Sequence, residues 1–313
     1  DLFKYRHFTG AVVVTVLSGI FFVGMMVLMP SFFTKVQGYT ELEAALMITP
    51  ASVMVFLLSP ISGLLLKKVG SRLLIATGLF LLAVGYVVIS VMNPNLYWQF
   101  AVACILIGAG YGIIIGPITV LSAGDFTGEL LTASQSVTGV FRQIGTVLAV
   151  AIFVSALSTN LGIAKDQVWS TAQSEIKKVS VSHVKKQQIL QITHKNLYGE
   201  KNTAAANHPA VSSRAESKII ESETKQYLVN HNGTQWPDAI KKKIRKEITA
   251  IVKIKVKNVN RQVANYHENI IKIVKQKMTQ AFIKPYQVAM PFAWLMLVTV
   301  FIFEKTKRKS KNI

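Results

Sequence analysis

The sequence predicts an all-α membrane protein with six transmembrane helices and an α-helical extracytoplasmic insertion between the fifth and sixth spans. Half of the residues (51%) are hydrophobic and only 16% are charged, yet the net charge is +20. This combination is unusual for a soluble domain and fits a membrane protein with a polar appendage. Six apolar stretches also reach the roughly 20 residues that a spanning helix needs. A long polar segment separates the last two stretches.

The six predicted spans are residues 10–33, 44–66, 73–92, 97–121, 136–157 and 285–303. Thr40 and Glu43 have the spacing of a capping box and predict where the second helix begins. The sequence Asn93-Pro94-Asn95 predicts a turn between the third and fourth spans. Residues 1–159 are therefore expected to hold five spans, and residues 285–313 the last span and a basic tail.

The fourth span carries Gly108, Gly112 and Gly116 at intervals of four residues, so all three lie on one helix face. Lipid provides little hydrophobic driving force between helices, and close contact of backbones over small residues takes its place. We expect this face to pack tightly on a neighbouring helix. Pro117 predicts a kink or a local break in the same helix.

Lysine and arginine in the short loops predict the orientation of the spans, because cytoplasmic loops are enriched in these residues. With the first residues inside the cell, Lys35 is the one short-loop cation outside. The inner cations are then Lys4, Arg6, Lys67, Lys68, Arg72, Lys305, Lys307, Arg308, Lys309 and Lys311. Both ends are therefore expected in the cytoplasm of a multi-pass protein of the cell membrane, with residues 160–284 extracellular.

The insertion at residues 160–284 contains 23 Lys and Arg and 9 Asp and Glu, and its patterning predicts helices. Pro237-Asp238 is typical of a first helical turn. The seven residues that follow a heptad spacing are Val252, Val256, Val259, Val263, Tyr266, Ile270 and Ile273. Further helices are predicted at 165–197 and 213–229, with a turn at Asn207-His208-Pro209. The heptad helix is expected to run toward the sixth span until Pro285 interrupts it.

Three motifs in the apolar part resemble a known family. They are Gly63-Leu-Leu-Leu-Lys67-Lys68-Val-Gly70-Ser-Arg72, the helix from Gly108 to Pro117, and Gly139-Val-Phe-Arg142-Gln-Ile-Gly145. In this order they resemble the C-terminal half of the drug:proton antiporters with fourteen transmembrane helices in the major facilitator superfamily. The resemblance implies one six-helix half-bundle of that fold and covers residues 1–157 and the last span. It does not cover the insertion.

The first motif departs from the family in one position, because Lys67 stands where the family has an aspartate. In the family the charges of this loop are thought to hold the two halves of the transporter together in one state. That network is expected to differ or to be absent here. Alternatively, Lys67, Lys68 and Arg72 act only as positive anchors on the cytoplasmic side.

Four residues are candidates for the substrate pathway, namely Phe21, Met25, Met29 and Arg142. Methionine and aromatic side chains adapt to varied apolar ligands, but this cluster is also consistent with core packing or lipid contact. A charge within a membrane span tends to face the bundle interior or water. Alternatively, Arg142 extends to the cytoplasmic surface.

The remaining patterns exclude several kinds of site. The histidines of the insertion have no metal-ligand spacing, and the sequence contains no nucleophile elbow or P-loop, so we expect no metal, no cofactor and no enzyme. The single cysteine, Cys104, excludes a disulfide within the chain. The basic run Lys241–Lys246 is expected to meet anionic lipid or cell-wall polymers outside the cell rather than nucleic acid; alternatively, it is only a solvated face.

These observations predict transmembrane transport, specifically the proton-coupled export of drugs or other hydrophobic or cationic small molecules. The predicted spans contain no Asp or Glu, so a carboxylate that carries the proton has to come from elsewhere. A chain that opens on Asp1 is expected to be a fragment whose N-terminal half is missing. The alternative is a membrane-anchored extracellular binding protein in which the insertion is the functional part.

Overall fold

The computed structural model describes residues 2–94, 96–124, 126–199 and 211–303. These residues form α-helices and short 3-10 and π segments, with no β-strand in any of the four ranges. Six helices are long and apolar enough to cross a membrane, which confirms the predicted all-α class and the number of spans. The helices are α1 Arg6–Phe32, α2 Glu41–Val69, α3 Ser71–Val91, α4 Tyr97–Gly124, α5 Gly128–Lys177, α6 His183–Tyr198, α7 Ser213–Asn230 and α8 Asp238–Leu295.

The chain divides into two compact units. The first comprises Asp1–Gly162 and Met278–Ile313, and the second comprises Ile163–Lys277. Helices α5 and α8 each contribute residues to both units. The predicted turn at Asn207-His208-Pro209 and the basic tail after Phe303 lie outside the described residues.

Several helices begin where the sequence predicts. The Thr40 hydroxyl accepts a hydrogen bond from the Glu43 amide, and the Glu43 carboxylate accepts one from the Thr40 amide at 2.8 Å. This reciprocal pair confirms the capping box at the start of α2. Helix α8 begins at Asp238, directly after Pro237, as the first-turn pattern indicates.

The bounds of α6 correct one prediction, and α5 is longer than the span predicted within it. Helix α5 begins at Gly128 and continues to Lys177, well beyond both ends of the predicted span at 136–157. The single helix predicted over residues 165–197 is instead divided by a break after Lys177. The Ser182 hydroxyl accepts a hydrogen bond from the Lys185 amide and caps a new helix there. Serine and β-branched residues at 179–182 favour such a boundary, because they are weak helix formers.

The proline positions correct the predicted interruption at Pro285 and exclude the break, one of the two alternatives predicted at Pro117. Helix α8 passes through Pro285 and Pro291 and ends at Leu295, where a 3-10 segment continues over Met296–Ile302. Helix α4 likewise passes through Pro117 to Gly124 without a break. Proline is tolerated inside membrane helices, since neighbouring groups and local adjustments satisfy the backbone carbonyl that it leaves free.

The second unit has its own apolar core. Its α8 contribution is the heptad pattern, in which Val252, Val256, Val263, Tyr266 and Ile270 are buried. The facing side chains come from α5 and α6 and include Val168, Ala172, Ile176, Ile189 and Leu197. The Tyr266 hydroxyl donates to the Ala172 carbonyl at 3.4 Å, and the Gln262 side chain accepts from the Ser180 amide at 2.8 Å. Burying a stripe of this kind is what keeps an amphipathic helix folded in water.

Candidate functional site

Helix α4 presents its glycine face to α2. A β-carbon on Gly108 would lie 2.7 Å from the Ala51 Cα atom, and one on Gly116 would lie 2.7 Å from the Gly63 amide nitrogen. At Gly112 the nearest backbone atom, Val55 Cα, would be 3.0 Å away. The two backbones therefore meet directly at all three glycines, which is the close approach that small residues permit between membrane helices.

The opposite side of α4 makes the same kind of contact with α3. A β-carbon on Gly110 would lie 2.6 Å from the Gly78 carbonyl oxygen and 2.7 Å from the Leu82 amide nitrogen. One on Gly85 of α3 would collide with the Ile107 side chain. Helix α4 is thus held between α2 and α3 through backbone contacts on two sides.

The motif from Gly63 to Arg72 forms the junction between α2 and α3. Lys67 and Lys68 lie exposed in the last turn of α2, and Gly70 joins the two helices with φ +89° and ψ 151°. Only glycine adopts this backbone conformation readily. The Arg72 guanidinium lies 5.2 Å from the centre of the Phe301 ring.

The predicted pathway residues on α1 lie in the core of the first unit. Met25 and Met29 are fully buried and Phe21 is 6% exposed. The Phe21 ring meets the Tyr86 ring edge to face, and the Tyr86 hydroxyl donates to the Phe21 carbonyl oxygen at 2.5 Å. These side chains therefore lie where α1 packs against its neighbours, such as α3, inside the unit. Among the described contacts, none joins them to Arg142.

A second group of aromatic side chains joins α1 to α4. Phe22 of α1 and Tyr111 of α4 stack with ring centres 4.3 Å apart and planes 2° from parallel. Arg142 lies on α5, three residues before Gly145. Helices α1 and α5 are in contact nearby, because a β-carbon on Gly145 would lie 3.0 Å from the Val16 carbonyl oxygen.

Three neighbouring helices thus carry a flat aromatic pair, on α1 and α4, and one cation, on α5. Such a surface can hold an apolar or aromatic molecule and attract a negative group. Tyr111 was missed from the sequence, because its pairing with Phe22 depends on which face of α4 meets α1. Among the described residues, no group of three or more His, Cys, Asp and Glu is placed to hold a metal ion.

Arg142 also lies near the end of the unit where α1 begins. The ring of its neighbour Phe141 is 5.9 Å from that of Phe3, which precedes α1. The side chain itself is exposed. Its position is thus compatible with both interpretations of this residue, as a group that faces the bundle or as an anchor near its end.

Comparison with known proteins shows which family this unit resembles. Residues 1–150 match the sequence model of the Major Facilitator Superfamily. This part of the chain is thus similar to that superfamily. Its members are transporters and not enzymes, and the six apolar helices fit a multi-pass membrane protein.

Similar proteins are found in bacteria and in a fungus. Multidrug resistance protein Stp of Mycobacterium tuberculosis is 28% identical over 160 residues, which cover 50% of this chain and 30% of Stp. Multidrug transporter protein MdtP of Bacillus subtilis is 25% identical over 162 residues, covering 51% and 30%. The MFS-type efflux pump MMF1 of Mycosarcoma maydis is 30% identical over 193 residues, covering 58% and 30%. The chain thus spans about 30% of the length of these relatives.

Proposed function

We propose that the chain is the C-terminal part of a proton-coupled exporter of drugs or other hydrophobic or cationic small molecules. The multidrug relatives support the substrate class, and the order of the three motifs supports the position within a fourteen-helix antiporter. The N-terminal half of the same transporter would complete the pathway, since transporters of this superfamily bind substrate between two halves.

The observation that carries this proposal is that some of the apolar helices are much less buried than others. In the most apolar part of each helix, 61% of the α4 residues are buried, compared with 11% in α2 and 17% in α5. Large apolar side chains remain exposed on both of the latter helices, such as Phe56 and Leu64 of α2 and Val147 of α5. We infer that a second half-bundle covers part of these two faces and that lipid covers the rest.

The substrate would contact the surface formed by Phe22, Tyr111 and Arg142. Phe21, Met25 and Met29 would shape this surface by positioning α1. No carboxylate is present in the spans, so the proton gradient would act through an Asp or Glu of the other half. The lysines at the junction of α2 and α3 would give this side of the transporter a charge network different from that of its relatives.

The orientation of the chain is a second part of the proposal. The loop charges favour a cell-membrane protein with both ends in the cytoplasm and residues 160–284 outside. There the cations of the insertion would meet anionic lipid or cell-wall polymers. Cysteines introduced as Ser222→Cys and Ser310→Cys test this, because the one native cysteine, Cys104, is fully buried. Labelling of position 222 alone by an impermeant thiol reagent in intact cells is expected, and the reverse pattern would refute the orientation.

Efflux of a fluorescent drug tests the transport function. The chain is produced alone and also joined to the coding sequence that precedes it, in cells that lack their own multidrug exporters. Energy-dependent efflux is expected only from the joined form, because the chain alone has half of the bundle. Efflux that a protonophore does not abolish would refute proton coupling, and full efflux by the chain alone would refute the requirement for a second half.

Two matched variants of the joined form test the surface around Arg142. Tyr111→Ala removes half of the stacked pair and is expected to raise the KM for an aromatic drug several-fold, by the loss of about 1 kcal/mol of aromatic contact. Val91→Ala, on an exposed position at the end of α3, serves as the control. Equal effects of the two changes would show that the stacked pair does not contact substrate.

A further inference from the structure

Five basic side chains form one line along α8 in the second unit. They recur at helical intervals on the side of α8 opposite the buried valines and tyrosine, and all are exposed. We call them the cationic stripe: Lys243, Lys246, Lys253, Lys257 and Arg261. At a rise of about 1.5 Å per residue the stripe is about 27 Å long, with neighbouring charges roughly 5–10 Å apart along the axis.

The charges of the stripe are not used within the unit. Among the described residues, none of the five forms an ion pair, whereas Lys241 in the first turn lies 3.8 Å from Asp238. Like charges four residues apart, as in Lys253, Lys257 and Arg261, destabilise a helix. The arrangement therefore costs stability and gains no contact inside the protein in return.

The excess of positive charge is larger on α8 than on α6, which has three lysines and no acidic residue, and is absent on α7. On α7 the three basic residues are balanced by three glutamates, and the residues concerned are Arg214, Glu216, Lys218, Glu221, Glu223 and Lys225. On α8, no acidic residue lies between Glu247 and Glu268. The stripe thus concentrates its charges on one face of one helix.

The other residues of this face indicate which partner fits. Helices that bind a membrane surface bury a broad apolar face, but the main apolar face of α8 lies in the core of the unit, and only Ile251 and Ile254 are large apolar side chains exposed within residues 243–261. Proteins that bind single-stranded nucleic acid stack bases on aromatic residues, and residues 243–261 contain none. A line of cations without either feature matches a linear polyanion that carries no bases, such as a chain of phosphate groups.

We infer that the cationic stripe is a docking surface for a linear phosphate-bearing polyanion outside the cell. This inference deepens the proposed contact of residues 160–284 with anionic material and rests on their proposed extracellular position. Cations three to seven residues apart along one helix can neutralise successive charges of such a polymer, and the release of its counterions drives binding. The polymer would thereby hold the transporter at sites rich in anionic wall or surface material.

The test compares two variants of the full chain, purified in a zwitterionic detergent. In the stripe variant the five residues are replaced by Gln. In the control variant five cations of α6 and α7 are replaced by Gln, so that both variants lose the same charge: Lys185, Lys195, Arg214, Lys218 and Lys225. Binding of fluorescently labelled linear polyphosphate is measured by anisotropy over a series of salt concentrations.

The stripe variant is expected to bind polyphosphate at least ten-fold more weakly than the control variant at about 0.1 M salt. The slope of log K against log salt should fall by roughly three to four, since each neutralised charge contributes about 0.7–0.9. Similar losses in both variants would overturn the inference and indicate that only net charge matters. Stronger binding to phosphatidylglycerol vesicles, or to a single-stranded DNA oligonucleotide, would also overturn it in favour of those partners.

Discussion

The glycine face of α4 makes a graded prediction possible, because the three glycines differ in the space around them. Backbone atoms of α2 block a β-carbon at Gly108 and at Gly116, where the nearest groups are the Ala51 and Ser59 carbonyls. At Gly112 the nearest atoms would be 3.0–3.3 Å away. Gly139 of α5 has no atom within 4 Å of the same position and provides the control.

The expected magnitudes follow from two opposing effects of Gly→Ala. The methyl group favours the helix by about 1 kcal/mol relative to glycine. Where it meets backbone atoms, α2 and α4 have to separate by roughly 1 Å to reach normal contact distance. Overpacking of this kind costs about 1–3 kcal/mol. We therefore expect Gly108→Ala and Gly116→Ala to be clearly destabilising, Gly112→Ala close to neutral, and Gly139→Ala neutral or stabilising.

Thermal unfolding of the purified variants in one detergent, at one scan rate, measures this order. Fixed conditions are needed because unfolding midpoints of membrane proteins depend on heating rate when unfolding is irreversible. Gly112→Leu extends the side chain beyond the tolerated methyl group and should lower the midpoint as much as Gly108→Ala does. Four Ala variants with the same midpoint would refute the conclusion that α2 and α4 meet through these glycines.

Three further predictions concern single positions. Gly70→Ala should destabilise the protein by about 1–3 kcal/mol, because the backbone at the junction of α2 and α3 has a conformation open only to glycine; an unchanged melting midpoint would contradict this. Val263→Asp should abolish the cooperative melt of the second unit, whereas Val259→Asp should weaken it less, since Val263 is 3% exposed and Val259 is half-buried. Burial lowers the pKa of His267, so folding favours the neutral imidazole. The folded protein therefore loses stability relative to the unfolded chain as the pH falls from about 7 through this lowered pKa. His267→Gln should flatten this part of a plot of melting midpoint against pH, and an identical plot for the variant would refute the assignment.

The extent to which the sequence predicts this fold differs between local and distant features. Local signals are reliable: the Thr40 capping box, the start of α8 at Asp238 and the buried valines of α8 all follow from spacing alone. The lengths of α5 and α8 are harder to predict, because the residues change from apolar to polar while the helix continues. Hydropathy detects that change of surroundings and places a boundary there, although the backbone hydrogen bonds are not interrupted.

In the candidate site, too, the sequence predicts local features but not the contacts between distant residues. The spacing of Gly108, Gly112 and Gly116 indicates a contact face, but the partner, α2, follows only from the folded bundle. Arg142 is prominent in the sequence as a charge in an apolar span. Tyr111 is not prominent, because a single tyrosine in an apolar helix can have many roles. Its stacking on Phe22 joins residues that are far apart in the chain.

The helices of the two units pack through different kinds of residue, and this difference follows from their surroundings. In the first unit the spanning helices meet over glycine, because apolar side chains gain little by leaving lipid for protein and close backbone contact supplies the attraction instead. In the second unit α8 packs through valine, isoleucine and tyrosine and carries the cationic stripe away from them, as a helix in water does when burial of apolar surface drives folding. One chain therefore changes its packing residues where its composition changes from apolar to polar. Exchanging these packing residues between the units should destabilise both. A glycine face on α8 would bury too little apolar surface, and a row of valines on α4 would force α2 and α3 apart.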